Sequence, residues 1–267
     1  PPPPFFFQAE DGKRAAQESR GLGDVYKRQA LITSLSETSH VVIILLISTI
    51  YVCSRPVLIQ GSILIILTPG FRVNDDSPII IVNLKAYEQG YGANGYDLCK
   101  IMEEIALEHN VNLAAAVSAI DLVDFSDNLD IPIFAQHVDG VTYGSHTGAI
   151  LPEAVRYSGA VGTLVNHAEC QMTWEEIEKT INRCKELGLS TVLCTADIEA
   201  SEKGAKLNPD MIAVEPPELI GGDISVSTAK PEIISNTVEV VKKINSDNSV
   251  LCGAGVKNQE YISKAIS

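Results

Sequence analysis

Met211-Ile212-Ala213-Val214-Glu215-Pro216-Pro217-Glu218-Leu219-Ile220-Gly221-Gly222 is an apolar run that ends on a single carboxylate. Two prolines follow, then two glycines. This order suits a catalytic base at a strand end, followed by a lid with a firm hinge at the prolines and a mobile tip at the glycines. The plainer alternative is a strand and a proline turn, with Glu215 as a solvated rim charge. The segments on either side decide between them.

Upstream, Ile79-Ile80-Ile81-Val82 is a continuous apolar run, the mark of a strand buried on both faces. Leu98, Ile101, Met102 and Ile105 then recur at helical spacing. Leu113 to Val117 reads as a second strand and Ile133 to Ala135 as a third. A short helix around Pro152 to Tyr157 precedes a fourth strand, Gly162 to Val165. Thr173 and Glu176 form a capping box that opens a helix bearing Ile177, Ile181, Cys184 and Leu187 on one face. Thr191 to Cys194 is the fifth strand and Met211 to Val214 the sixth. Pro231 marks a helix start ahead of Ile234, Val238, Val241 and Ile244. Lys242 and Lys243 fall at that helix's C-terminal end, where the helix dipole favours cations. Val250 to Cys252 is a seventh strand, and a last helix is expected after Gly255.

Strands alternating with helices in this rhythm predict a parallel sheet with helical crossovers. Seven of them without a long edge strand fit an α/β fold of the (β/α)8 TIM-barrel type better than an open sheet. Asn83, Lys85, His167 and Glu215 all fall at C-terminal strand ends. A barrel gathers those ends on one face, where barrel active sites form.

The chain has 267 residues and a net charge of −14, which argues against nucleic acid as a partner. Cysteines 53, 99, 170, 184, 194 and 252 are scattered without metal-like spacing and read as reduced core thiols of an intracellular protein. Residues 1–70 differ from the rest. Pro1 to Pro4 and Phe5 to Phe7 open a low-complexity start, and Phe5 to Gln29 resembles translated sequencing-adapter read-through. The apolar runs Val41 to Val52 and Val57 to Thr68 are each shorter than the roughly 20 residues that span a bilayer, so no membrane association is expected. The expectation is a non-native leader over 1–70 and a barrel domain over 71–267.

The strand-end residues fit one chemistry. Glu215 can take a proton from carbon beside a carbonyl, and His167 can polarise that carbonyl and move protons between two oxygens. Lys85 can hold an anionic substrate and stabilise an enediolate, and Asn83 can fix the geometry around Lys85. A base, an electrophile and a fixed cation are what a 1,2 proton shift needs. Taken singly, each has a structural alternative: a core histidine, a snorkelling lysine, a turn asparagine.

Asn83-Leu84-Lys85, Asn166-His167-Ala168-Glu169, Val214-Glu215-Pro216-Pro217-Glu218-Leu219-Ile220-Gly221 and Cys252-Gly253-Ala254-Gly255 together resemble triosephosphate isomerase of the shorter, archaeal type. The similarity runs from about Pro78 to Ser267 with the motifs in order. The resemblance implies interconversion of dihydroxyacetone phosphate and D-glyceraldehyde 3-phosphate, with no cofactor and no metal. The family pairs a Glu base with a neutral His electrophile and a closing loop. By resemblance Glu215 is the base, His167 the electrophile, and Asn83 and Lys85 bind substrate. Glu169 matches the acidic residue two positions after the histidine. Gly221 matches the lid glycine that meets the phosphate, and Gly253, Ala254 and Gly255 match the loop where phosphate sits on backbone N–H groups. Gly144 to Gly148 resembles the loop that reaches a neighbouring subunit, with Thr147 at the partner's site, so a dimer or tetramer is implied. His137, which follows the third strand, reads as a structural or loop residue and not as a catalytic one. A cytoplasmic place in glycolysis and gluconeogenesis is implied by the resemblance alone.

Two departures stand out. Gly221-Gly222-Asp223 replaces the Gly-Thr-Gly of many relatives. The family's eighth strand and eighth helix are missing, so an incomplete barrel is expected, with two unpaired edges. An apolar leader segment, such as part of 57–68, is a candidate to fill that gap. Two other outcomes stay open. One is a non-catalytic barrel fragment with an apolar leader. The other is a different phosphate-binding barrel enzyme, an epimerase or a Schiff-base aldolase.

Overall fold

The computed structural model describes residues 42–46, 78–216 and 231–253. Eight parallel strands form a closed barrel in chain order. They are β1 (Val42–Leu46), β2 (Ile79–Asn83), β3 (Asn112–Val117), β4 (Ile133–Ala135), β5 (Gly162–Val165), β6 (Ser190–Thr195), β7 (Met211–Val214) and β8 (Ser249–Cys252). Helices α1 (Gly92–His109), α2 (Leu122–Asn128), α3 (Pro152–Tyr157), α4 (Trp174–Leu187), α5 (Ile198–Ala205) and α6 (Pro231–Ile244) each follow one strand from β2 to β7.

The seven strands read from the sequence are β2 to β8. The place expected to be empty is taken by β1. Its backbone runs parallel to β2, with Ile43 opposite Ile80 and Leu46 opposite Asn83. On its other side Val42 pairs with Leu251 and Ile43 with Cys252. The two edges expected to be bare are therefore paired, because an edge strand's unmatched N–H and C=O groups accept any parallel segment of suitable length. The segment is 42–46; residues 57–68, the proposed filler, lie outside the described residues.

The continuous apolar strands are explained by two packing layers. Ile79, Ile81, Ala114, Ala116, Phe134, Leu164, Val192, Met211 and Ala213 fill the barrel. Ile80, Val82, Leu113, Ala115 and Val117 point outward against the helices, with Leu98, Met102 and Phe125. Alternate residues thus face two different apolar layers, so no polar residue interrupts the run. The Thr173–Glu176 capping box forms as read, and Gly188 ends α4 in a left-handed turn. Two helices, α2 and α5, lie beyond what the apolar spacing indicated. The signal for α5 was the N-cap Asp197, whose side chain accepts the Ala200 N–H.

Candidate active site

Two strand-end bends set the site. Lys85 has φ of 51° and Asn166 has φ of 60°, both left-handed. Each is held by an amide side chain. The Lys85 N–H donates to Asn83 Oδ1 at 2.9 Å. Asn166 donates from Nδ2 to the Cys194 carbonyl at 3.0 Å and accepts the Met172 N–H at 2.9 Å. Asn166 thereby turns the chain after β5 so that His167 comes over the barrel mouth. Gln136 completes the frame, donating from Nε2 to the Lys85 carbonyl at 3.0 Å and the Ala116 carbonyl at 3.3 Å.

His167 is buried, and its Nδ1 accepts the backbone N–H of Glu169 at 3.1 Å. That leaves the ring proton of the neutral imidazole on Nε2. Burial, together with the Lys85 charge, pushes the imidazole below its ordinary pKa, and Glu169 only partly offsets this. His167 is therefore a neutral donor through Nε2. Lys85, with 9% of its surface exposed, places Nζ 2.5 Å from Glu169 Oε1.

Glu215 is 2% exposed and is anchored by its N–H to the Thr195 carbonyl at 2.8 Å. Its carboxyl is pushed up to about 7, first by burial; the Cys194 thiol and Lys85 pull it down and Glu169 adds to the rise. Both Glu215 oxygens and His167 Nε2 are buried without a formed hydrogen bond, so Cys194 stands beside the carboxylate without bonding geometry. Glu215 Oε2 lies 3.9 Å from His167 Nε2. Gly253 packs directly on the Glu215 side chain.

The arrangement is a proton acceptor tuned near neutrality, a neutral N–H donor beside it and a fixed ammonium within the same electrostatic reach. It suits proton abstraction next to a carbonyl with stabilisation of the resulting oxyanion.

A sequence model of the family described as triosephosphate isomerase matches residues 78–266. The chain belongs to the triosephosphate isomerase family. It is an enzyme of the isomerase class. Among similar proteins, the triosephosphate isomerase of Methanocaldococcus jannaschii is 46% identical over 188 residues, covering 70% of this chain and 86% of the relative. That of Methanothermus fervidus is 44% identical over 191 residues, with coverage of 72% and 86%. That of Archaeoglobus fulgidus is 43% identical over 188 residues, with coverage of 70% and 84%. The archaeal type of the triosephosphate isomerase family is thus the one this chain resembles.

Asn83, Lys85, His167, Glu215 and Gly253, drawn from β2, β5, β7 and β8, come together at one barrel mouth. Gly221, Ala254 and Gly255 lie outside the described residues, as do Gly222 and Asp223. Asn166, Gln136 and Cys194 carried no role in the sequence reading. Asn166 and Gln136 could have been found as amides directly after strand ends, and Cys194 by its two-residue step from inward-facing Val192. The loop 144–148 is exposed throughout. Among the described residues, no helix is long and apolar enough to cross a membrane.

Proposed function

We propose that this chain interconverts dihydroxyacetone phosphate and D-glyceraldehyde 3-phosphate. Glu215 takes a proton from the carbon beside the carbonyl. His167 donates its Nε2 proton toward the carbonyl oxygen and carries protons between the two oxygens. Lys85 stabilises the negative charge of the enediolate, and Glu215 returns its proton to the neighbouring carbon. Asn83 holds the Lys85 backbone. Gly221, Ala254 and Gly255 supply backbone N–H groups to the phosphate, whereas the Gly253 N–H is taken by the Val214 carbonyl at 3.1 Å.

The observation that carries this is the buried pair Glu215 and His167, 3.9 Å apart, each without a hydrogen bond at its facing atom. A base left unpaired in a desolvated site is held ready for a substrate proton rather than used in the fold. The reaction supplies one step of glycolysis and gluconeogenesis in the cytoplasm. The exposed loop 144–148, with Tyr143 beside it 77% exposed, supports self-association to a dimer or tetramer. Residues 71–267 carry all the assigned chemistry.

A coupled isomerase assay on the full chain, with Glu215→Gln beside it, tests the proposal. Turnover that disappears in the variant is expected. Absence of turnover in the parent chain, or equal turnover in both, overturns it.

A further inference from the structure

A second set of groups lies at the outer side of the site. Cys170, expected from the sequence to be a core thiol, is instead the exposed cysteine among those described, because it falls in the loop after β5, while Cys99, Cys184, Cys194 and Cys252 are buried. Its Sγ is 3.7 Å from His137 Nδ1. The opposite ring nitrogen, His137 Nε2, is 3.3 Å from Asp139 Oδ1. Asp139 is itself fixed: Oδ2 accepts the Ile150 N–H at 2.7 Å, and the Asp139 N–H donates to the Ile150 carbonyl at 2.9 Å. A single tautomer satisfies the chain of contacts. Nε2–H donates to Asp139, and the Nδ1 lone pair faces the thiol. Nucleophile, base and orienting carboxylate are thus in sequence, from a cysteine and a histidine 33 residues apart.

We propose that Cys170 is a thiol modification site that takes small disulfides, with His137 as its base and Asp139 as the group that positions His137. The thiol proton passes to His137 Nδ1. The Cys170 sulfur attacks one sulfur of the incoming disulfide, a new S–S bond forms and the old one breaks. The departing thiolate takes the proton back from His137. The products are a mixed disulfide on Cys170 and one small thiol, so the incoming disulfide is the only oxidant.

The site adjoins the proposed catalytic groups. The Cys170 N–H donates to the His167 carbonyl at 2.7 Å, and the preceding residue, Glu169, holds Lys85. The buried thiols make poor competitors, since burial pushes Cys99 and Cys184 up to about 12 and Cys194 well above its ordinary value.

The test incubates the full chain with oxidised glutathione and follows the adduct by mass and peptide mapping, with N-acetylcysteine as the reference thiol. Cys170 should be the main adduct, formed at least about tenfold faster than on the reference, and His137→Asn and Asp139→Asn should each remove most of that advantage. Cys170→Ser should leave no fast phase. A rate no greater than the reference, a main adduct on another cysteine, or a rate unchanged in folded His137→Asn overturns the proposal. Should His137→Asn fail to fold, the wild-type rate against the reference decides alone. The readout is a mass, so its failure is separable from failure of the isomerase assignment.

Discussion

Gly253 lies so close to Glu215 that a Cβ built on it would sit 2.5 Å from Glu215 Oε1 and 2.8 Å from Cδ. Gly253 therefore sets the position of a carboxylate from the neighbouring strand end, whose main chain is held by the Glu215 N–H on the Thr195 carbonyl. The space a hydrogen leaves at Gly253 is the space the base occupies.

Gly253→Ala should accordingly displace the Glu215 side chain while leaving the barrel folded. A shift of about 1 Å in a catalytic group costs roughly 100-fold in rate. Steady-state kinetics should show a fall of that order in kcat, with little change in the circular dichroism spectrum. An alanine variant with full turnover would mean that Glu215 does its work from another position.

The raised carboxyl of Glu215 predicts two pH effects. Activity needs the ionised form, so the acid limb of kcat/KM should fall away below about pH 7 rather than near the ordinary value of 4.5. His167 adds no opposing limb above that, because its own pKa is lowered and it is already neutral.

The same shift acts on stability. The folded state binds the Glu215 proton more tightly than the unfolded state, so the stabilisation is fully present below pH 4.5 and is lost as pH rises through about 7. The interval corresponds to about 3 kcal/mol. His167 runs the other way: its lowered pKa costs stability as pH falls below the ordinary value of 6.5. Urea denaturation of the wild type and Glu215→Gln between pH 4.5 and 7.5 separates them. The variant should gain stability relative to wild type as pH rises. Parallel curves would contradict the shift.

Asn83→Ala removes the acceptor for the buried Lys85 N–H in a left-handed backbone position. Leaving such a donor unpaired costs about 1–3 kcal/mol. The Lys85 ammonium should lose its fixed place, so kcat/KM should fall together with the denaturation midpoint. Unchanged values of both would show that Gln136 alone suffices to hold this turn.

Ile44→Pro probes barrel closure. Ile44 sits in the middle of β1, paired opposite Ile81, and the strand is flanked on both sides. Proline deletes a backbone donor, and the group left without its partner costs about 1–3 kcal/mol. A clear drop in Tm is expected by scanning calorimetry. An unchanged Tm would show that closure through 42–46 contributes nothing to stability.

Most of the architecture from residue 78 onward was legible in the sequence. Runs such as Ile79 to Val82 and Met211 to Val214 are short, apolar and sharply ended, and the residue ending each run is polar. Local periodicity reports such elements because one face or both must be buried. Candidate chemistry was legible for the same reason: Lys85, His167 and Glu215 stand at strand ends, and parallel strands bring their C-terminal ends together.

What the sequence by itself determined is therefore the rhythm of strands and helices and the identity of the polar residues at the barrel mouth. Only the tertiary structure decided that Val42–Leu46 closes the barrel, that Lys85 pairs with Glu169 across 84 residues of chain, and that Gly253 sets the place of Glu215. It alone brought His137 to Cys170 and moved the Glu215 carboxyl to about 7. The physical reason is that these depend on distances through space and on exclusion of water. A linear pattern reports burial along one element; it carries no measure of what packs against that element from another.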